Sequence, residues 1–243
     1  MPEQGVELFV ISKGRPGNVA PLQQLLALPP AWVVPPGEAD AYRAAGAAMV
    51  FPAAGGLAAQ RNTALERAFA HDHWCCQVDD DLVWTKLIPV LGDAIAIPFT
   101  EAVGRMVATL METPYMVAGV PPTDNAFFAG RGATATNLFL PAKLTVTRPS
   151  TPRYDPDLKL KEDYDFTCQH LDRYGGALRC NRILTRFRKG GDGGANGYRT
   201  PALENEACRR LLARWPQYLQ RHPRRAGELL LKAPRAGQRT LLT

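Results

Sequence analysis

What this chain lacks narrows its class before any motif is considered. Its N-terminus, MPEQGVELFVIS, has no basic stretch leading into a long apolar one, so no secretory signal is expected. No window approaches the ~20 apolar residues that a bilayer-crossing helix needs. The longest apolar runs are broken by Pro and Gly, as at Pro29-Pro30 and Pro35-Pro36. A cytoplasmic protein without a membrane anchor is the expectation. Cysteine is scarce and odd in number (Cys75, Cys76, Cys168, Cys180 and Cys208), with one adjacent pair and no CxxC. That pattern argues against a disulfide framework and a structural zinc site, and for buried free thiols in a reducing compartment. The four histidines, His71, His73, His170 and His222, are too scattered for spacing alone to suggest a His-based metal site. There is no internal repeat, no low-complexity tract and no linker that would split the chain.

What is present fits one globular α/β domain. The 243 residues are 46% hydrophobic and 21% charged, a balance that supports a sizeable core. The formal net charge is +6, and the excess concentrates towards the C-terminus. Between Arg209 and Arg239 the only acid is Glu228. Such a segment attracts polyphosphate; a generically solvated basic tail is the plain alternative.

Periodicity then gives an alternating pattern. Val6 to Ser12 reads as a first strand, stopped by Gly14, Pro16 and Gly17, with Asn18 capping a helix to about Leu28. Ala31 to Pro35 and Ala48 to Pro52 read as strands around a short helix, Glu38 to Ala45. A longer amphipathic helix, Leu57 to Ala70, precedes a fourth strand, His73 to Val78, which runs into Asp79-Asp80-Asp81. Beyond the acids, helices are expected at Phe99 to Glu112 and at Asp163 to Tyr174, the latter ended by Gly175-Gly176. Strands are expected at Tyr115 to Val120, Ala133 to Leu140 and Ala177 to Leu184. This alternation implies a largely parallel sheet flanked by helices, with ligands beyond the strands' carboxyl ends. The SKGRPG loop and the acidic triplet should therefore share one rim.

The acidic triplet carries the strongest chemical signal. Three adjacent carboxylates repel one another unless cations compensate. Two of them at i and i+2 of an extended segment can reach one hard divalent ion such as Mn2+ or Mg2+. An acidic surface turn is the bland alternative; the triplet's position after the fourth strand favours the ion. A second acidic element, KLKEDYDF (Lys159 to Phe166), opens a helix. Acids there complement a helix dipole, or one of them can act as a general base.

These elements together resemble the GT-A glycosyltransferases, whose DxD motif Asp79-Asp80-Asp81 matches. The resemblance implies that Asp81 binds the metal and that Asp79 contacts the metal or the donor sugar. It places the donor's base and ribose near Ser12, Lys13 and Arg15, and its diphosphate near Gln60, Arg61 and Asn62, with Asp80 nearby. Arg61 at a helix start offers phosphate a planar cation beside free backbone N–H groups. The general base implied is Asp163 first, then Glu162, then Asp165. The family's third metal ligand is often a histidine near the end of the domain. None occurs between His170 and His222, so Asp192 is the substitute considered, with water as the alternative. The loop Lys189 to Arg199 resembles lids that close over donor phosphates through Lys189 and Arg199, against a simple linker reading.

Within that fold the opening FVISKGRPGN, the AQRN element and EDYDF resemble the TET-associated glycosyltransferases of bacteriophages, relatives of the kinetoplastid base J glucosyltransferase. The likeness covers roughly residues 6 to 200. It implies sugar transfer from a UDP-sugar to a 5-hydroxymethylated pyrimidine in DNA, such as 5-hydroxymethylcytosine, in the host cytoplasm if the chain is phage-encoded. The division expected is residues 1–200 as the GT-A domain and 201–243 as a basic helical extension packed on it. Arg214, Arg224 and Arg225 would track phosphates, and Phe127, Phe128 and Arg131 would line the acceptor pocket. Trp215 and Tyr218 could stack on bases, though packing is the favoured reading. The rivals are a GT-A enzyme with a sugar, lipid or peptide acceptor; a nucleotidyltransferase, which SKGRPGN matches poorly; and a non-catalytic nucleic-acid module.

Overall fold

The computed structural model describes residues 5–130, 132–188, 199–225 and 227–232. The chain begins with β1 (Val6–Ile11), α1 (Val19–Leu26), β2 (Ala31–Val34), α2 (Ala39–Ala44), β3 (Met49–Pro52), α3 (Leu57–Ala70) and β4 (Trp74–Asp79). It continues through β5 (Leu82–Leu87), β6 (Ile95–Ala96), α4 (Phe99–Met111), β7 (Val117–Gly119), β8 (Thr134–Thr136) and β9 (Leu144–Thr147). It ends with α5 (Glu162–Tyr174), β10 (Leu178–Cys180), β11 (Ile183–Phe187), α6 (Pro201–Arg214), β12 (Leu219–Arg221) and β13 (Leu229–Leu231).

The main sheet runs β3-β2-β1-β4-β9-β7-β10-β8. Its first four strands are parallel, and β9 inserts antiparallel between β4 and β7. β10 runs parallel to β7, and β8 closes the far edge antiparallel. This is a mixed sheet of Rossmann-like character, flanked by helices. Alternation along the strands explains why both faces are covered. Val10, Trp32, Val34, Cys76 and Val78 point into a core with α1, α2 and α4. Phe9, Ile11, Ala31, Val33 and Cys75 point the other way, onto α3 and α5. All five cysteines are buried and unpaired. Among the described residues no helix is long and apolar enough to cross a membrane.

Several expected elements are redrawn. Asn18 makes no side-chain cap; a 3-10 turn over Pro16–Asn18 leads into α1 instead. The expected strand Ala133 to Leu140 shortens to Thr134–Thr136, because Asn137 adopts a left-handed φ of 58° that ends the extended run. The expected strand Ala177 to Leu184 divides at a turn over Asn181 and Arg182 into β10 and β11, which belong to different sheets. β11 pairs with β5, and β5 with β6, in a small sheet starting one residue past the acidic triplet. The C-terminal segment is not wholly helical: α6 is followed by the β12–β13 hairpin. Cys208, Leu211, Trp215, Leu219 and Leu229 bury against Leu158 and Cys168, which seats α6 and the hairpin on α5.

Gly175 ends α5 as expected, with a left-handed φ of 72°. The next residue, Gly176, lies against the ring of Tyr115, where any Cβ would collide.

Candidate functional site

The site begins with strand register. Pairing of Ile11 with Asp79 brings Ser12 beside Asp80 at the carboxyl end of β1 and β4. Ser12 donates its hydroxyl hydrogen to Asp80, and its oxygen lies 2.5 Å from the Tyr42 hydroxyl. Arg15 reaches back with Nη1 2.8 Å from Asp80 Oδ1 and 3.3 Å from Asp81 Oδ2. The loop's own N–H groups are held too: Gly14 donates to Glu38 at 2.6 Å, and Arg15 to the Tyr42 hydroxyl at 3.0 Å. Asp80, 4% exposed, therefore holds the Ser12–Arg15 loop in place and offers little to a ligand.

Asp79 and Asp81 face a cleft of about 740 Å3. One wall is the start of α3 at Gly55-Gly56-Leu57. There the helix has no side-chain cap and no acid in its first turn, so its N–H groups are free to meet an anion. Gly55 and Gly56 both adopt positive φ, 103° and 88°, which lets the backbone turn into the helix beside the cleft. Seven cations line the cleft: Lys13, Arg15, Arg61, Lys143, Lys159, Arg188 and Arg199. Three carboxylates within so basic a cleft make a site suited to phosphate with a bridging cation.

Burial, then the repulsion of Asp79 and Asp80, pushes the Asp81 carboxyl up to about 6. Asp80 is also raised, by burial, although Ser12 and Arg15 oppose it. An all-oxygen carboxylate set only partly balanced by Arg15 and Arg61 fits a hard divalent ion completed by substrate oxygens. Asp79 and Asp81 are the residues placed to hold it. The acidic triplet does not itself gather three carboxylates around one point. Among the described residues, the only three metal-ligating groups that converge are Glu7, His71 and His73.

Arg61, 3% exposed, joins the triplet to α5. Its Nη2 lies 2.9 Å from Asp79 Oδ1 and its Nε 3.5 Å from Glu162 Oε1, while Nη1 donates to the Ala142 carbonyl at 2.7 Å. Burial alone would depress this guanidinium, but Asp79, Tyr154 and Glu162 outweigh it and keep it charged. Glu162 and Asp163 are both raised, chiefly by burial; Arg61 opposes this, and for Asp163 repulsion by Glu162 adds to it. Asp163 Oδ1 accepts the Tyr164 N–H at 3.0 Å. Neither acid lines the cleft, and Arg61 stands between Glu162 and Asp79.

No protein-family model matches this chain, and no curated protein matches it.

The structure separates the remaining expected site residues. Asp165 is fully buried and turned towards α6: it accepts from Trp215 Nε1 at 2.7 Å and Gln169 Nε2 at 2.6 Å, with Arg214 3.2 Å away. It is a structural anchor, which excludes it as a base for a substrate in the cleft. Trp215 accordingly packs, as its burial shows. Asn62 does not face the cleft either, because its amide makes both hydrogen bonds to the Tyr154 backbone. Gln60 lines the cleft, but its amide donates to the Ser12 and Val33 carbonyls and fixes the loop.

Phe127 and Phe128 are 86% and 69% exposed on a 3-10 turn, and neither lines the cleft. Arg214 is paired with Asp155 at 3.0 Å and Arg225 with Glu228 at 3.2 Å, so these arginines are partly neutralised; Arg224 is exposed. Arg199 lines the cleft and lies 3.4 Å from Glu204. Arg131, Lys189 and Asp192 lie outside the described residues.

Sequence reasoning missed Lys143, Lys159, Arg188 and Tyr42. Arg188 is placed by β11, whose continuation donates the Arg188 N–H to the Asp81 carbonyl at 2.9 Å. Lys143 immediately precedes β9, and its carbonyl accepts the Asp79 N–H at 2.9 Å. A β-branched signal, Leu-Thr-Val-Thr, was present for β9 and would have brought Lys143 to the rim.

Proposed function

We propose that this protein is a metal-dependent glycosyltransferase of GT-A type that takes its sugar from a nucleoside-diphosphate donor. The observation that carries this reading is the cleft itself. An acidic triplet at the end of a central parallel strand faces an uncapped helix N-terminus within a ring of cations. Lys13, Arg15, Arg188 and Arg199 would bind the donor's phosphates, and the α3 N-terminus would add backbone N–H groups. Asp79 and Asp81 would hold Mn2+ or Mg2+, which when bound neutralises charge on the diphosphate leaving group.

Asp163 is the base we propose, on the resemblance to GT-A enzymes and not on its position, since it lies outside the residues that line the cleft. Its raised affinity for protons suits it to accept the hydrogen of an acceptor hydroxyl. The freed oxygen attacks the anomeric carbon, the bond from that carbon to the diphosphate breaks, and the diphosphate leaves with the electron pair. Glu162, facing Arg61, is the less suitable base because it is already engaged by a cation.

For the acceptor we propose the hydroxyl of a 5-hydroxymethylated pyrimidine in DNA, on the net positive charge and the exposed Phe127-Phe128 pair. A second reading, transfer to a sugar, lipid or peptide hydroxyl, is favoured by the acid partners of Arg214 and Arg225. The test is incubation with Mn2+, a panel of UDP-sugars and 5-hydroxymethylcytosine DNA, then digestion and mass measurement of the nucleosides. A hexose or N-acetylhexosamine mass on the modified nucleoside, lost in Asp81→Ala, supports donor, acceptor and metal site together. Release of UDP without modified DNA keeps the transferase reading and removes the DNA acceptor. Neither UDP release nor transfer across the panel would count against both.

A further inference from the structure

Glu7, His71 and His73 meet at the rim of the sheet opposite the cleft. Glu7 pairs in register with Cys75 near the start of β1 and β4, whereas Ile11 and Asp79 mark the cleft end. Four residues of strand separate the two ends, about 13 Å. His71 Nδ1 lies 2.9 Å and His73 Nδ1 2.7 Å from the same carboxylate oxygen, Glu7 Oε1.

Three elements converge here, and each is held by backbone hydrogen bonds. His71 ends α3, and both its N–H and that of His73 donate to the Ala68 carbonyl. Trp74 donates to the Gly5 carbonyl, which sets the first rung between the strands. Asp72, between the two histidines, adopts a left-handed φ of 55°. That conformation reverses the chain so that residues 71 and 73 present their rings to one carboxylate. Gly5 provides the room, since a Cβ there would lie only 3.2 Å from His73 Nε2.

We propose that Glu7, His71 and His73 form a binding site for one zinc-like divalent transition ion. Two imidazole nitrogens and one carboxylate oxygen are a donor set suited to Zn2+ rather than to the oxygen-seeking Mg2+. The three ligand atoms lie within 4.8 Å of one another, so small side-chain rotations bring them to bonding distance around a single ion. His71 is 64% exposed, so solvent completes the fourth position. The ion would tie the last turn of α3 to β1 and β4, and α3 carries its other end, about 21 Å away, to the cleft. Such a site fixes the helix and takes no part in chemistry.

The test is titration of chelator-treated full-length protein with Zn2+ alone, in competition with a chromophoric chelator, alongside thermal unfolding. His71→Gln and His73→Gln keep a donor for Glu7 but ligate poorly, and both sites are exposed enough for the fold to persist. Wild type is expected to take one tight equivalent and to melt higher with Zn2+ than without. Asp81→Asn, which alters only the cleft, should retain both effects. Each Gln variant should bind at least ~10-fold more weakly and lose the zinc-dependent rise in Tm, with an unchanged metal-free Tm. Absence of binding at micromolar Zn2+, or undiminished binding in both Gln variants, overturns the site and leaves Glu7 as a hydrogen-bonding partner of two histidines.

Discussion

Nη2 of Arg61 lies 2.9 Å from Oδ1 of Asp79, and this contact ties the acidic triplet to the first turn of α5. Because the same guanidinium faces Glu162, one buried cation balances carboxylates from two distant parts of the sequence. Replacing Arg61 by Met leaves the buried Glu162 and the half-buried Asp79 without their partner. The expected cost is about 3–5 kcal/mol, read from urea unfolding at pH 7. A loss below 1 kcal/mol would mean that Arg61 is not the compensating charge.

Asp81 is where function and stability should part. The Asp81→Asn change removes a carboxylate that already repels its neighbours, so Tm measured without divalent ions should hold or rise. Mn2+-dependent hydrolysis of a UDP-sugar should nevertheless fall by on the order of 100-fold or more. Unaltered hydrolysis in a folded variant would remove Asp81 from the metal site.

The same carboxyl sets a pH dependence of known sign. Its folded value near 6 stands above the ordinary aspartate range, so between about pH 4 and 6 the folded protein binds more protons than the unfolded chain. Its contribution to stability is therefore greatest below pH 4, declines as pH rises through 6, and is level above that. Tm of wild type minus Tm of Asp81→Asn, without metal, should fall across this window. A difference that stays flat would show that Asp81 titrates normally.

Asp165 should behave as scaffold. Asp165→Ala leaves the buried Trp215 N–H without its acceptor and frees Arg214 from its inner partner. A loss of about 2–4 kcal/mol is expected from the unsatisfied donor and the lost charged hydrogen bonds. At temperatures where the variant is folded, kcat should remain within a few-fold of wild type. A collapse of kcat with intact stability would restore Asp165 as a candidate base.

Phe127 and Phe128 are exposed, with their rings packed edge to face at 5.0 Å. Replacing both with Ala should change stability by no more than about 0.5 kcal/mol, as surface substitutions do. Acceptor-dependent transfer should drop while donor hydrolysis continues, assayed side by side. Equal loss of the two activities would argue against an acceptor role.

Much of the first half of the fold was legible because each element carried its own local signal. Leu57–Ala70 was readable from helical periodicity after Gly55-Gly56, and the strand before the acids from its mainly apolar run. The second half was less so. β9 is a central strand only because β4 and β7 flank it, and β10 and β11 look like one strand until Asn181 turns the chain between sheets. Periodicity reports burial along a segment and is silent on which partner provides it.

The sequence by itself determined that three aspartates follow a central strand and that an arginine and further acids lie at helix starts, since these depend on adjacent residues. Tertiary structure alone decided how they are used. Register placed Ser12 and Arg15 on Asp80, which left Asp79 and Asp81 facing the cleft. Packing of α6 turned Asp165 inward. A left-handed residue at Asp72, with the pairing of β1 and β4, drew His71 and His73 to Glu7. Electrostatic and ligand-forming interactions act over a few ångströms, and only the folded chain sets which residues come that close.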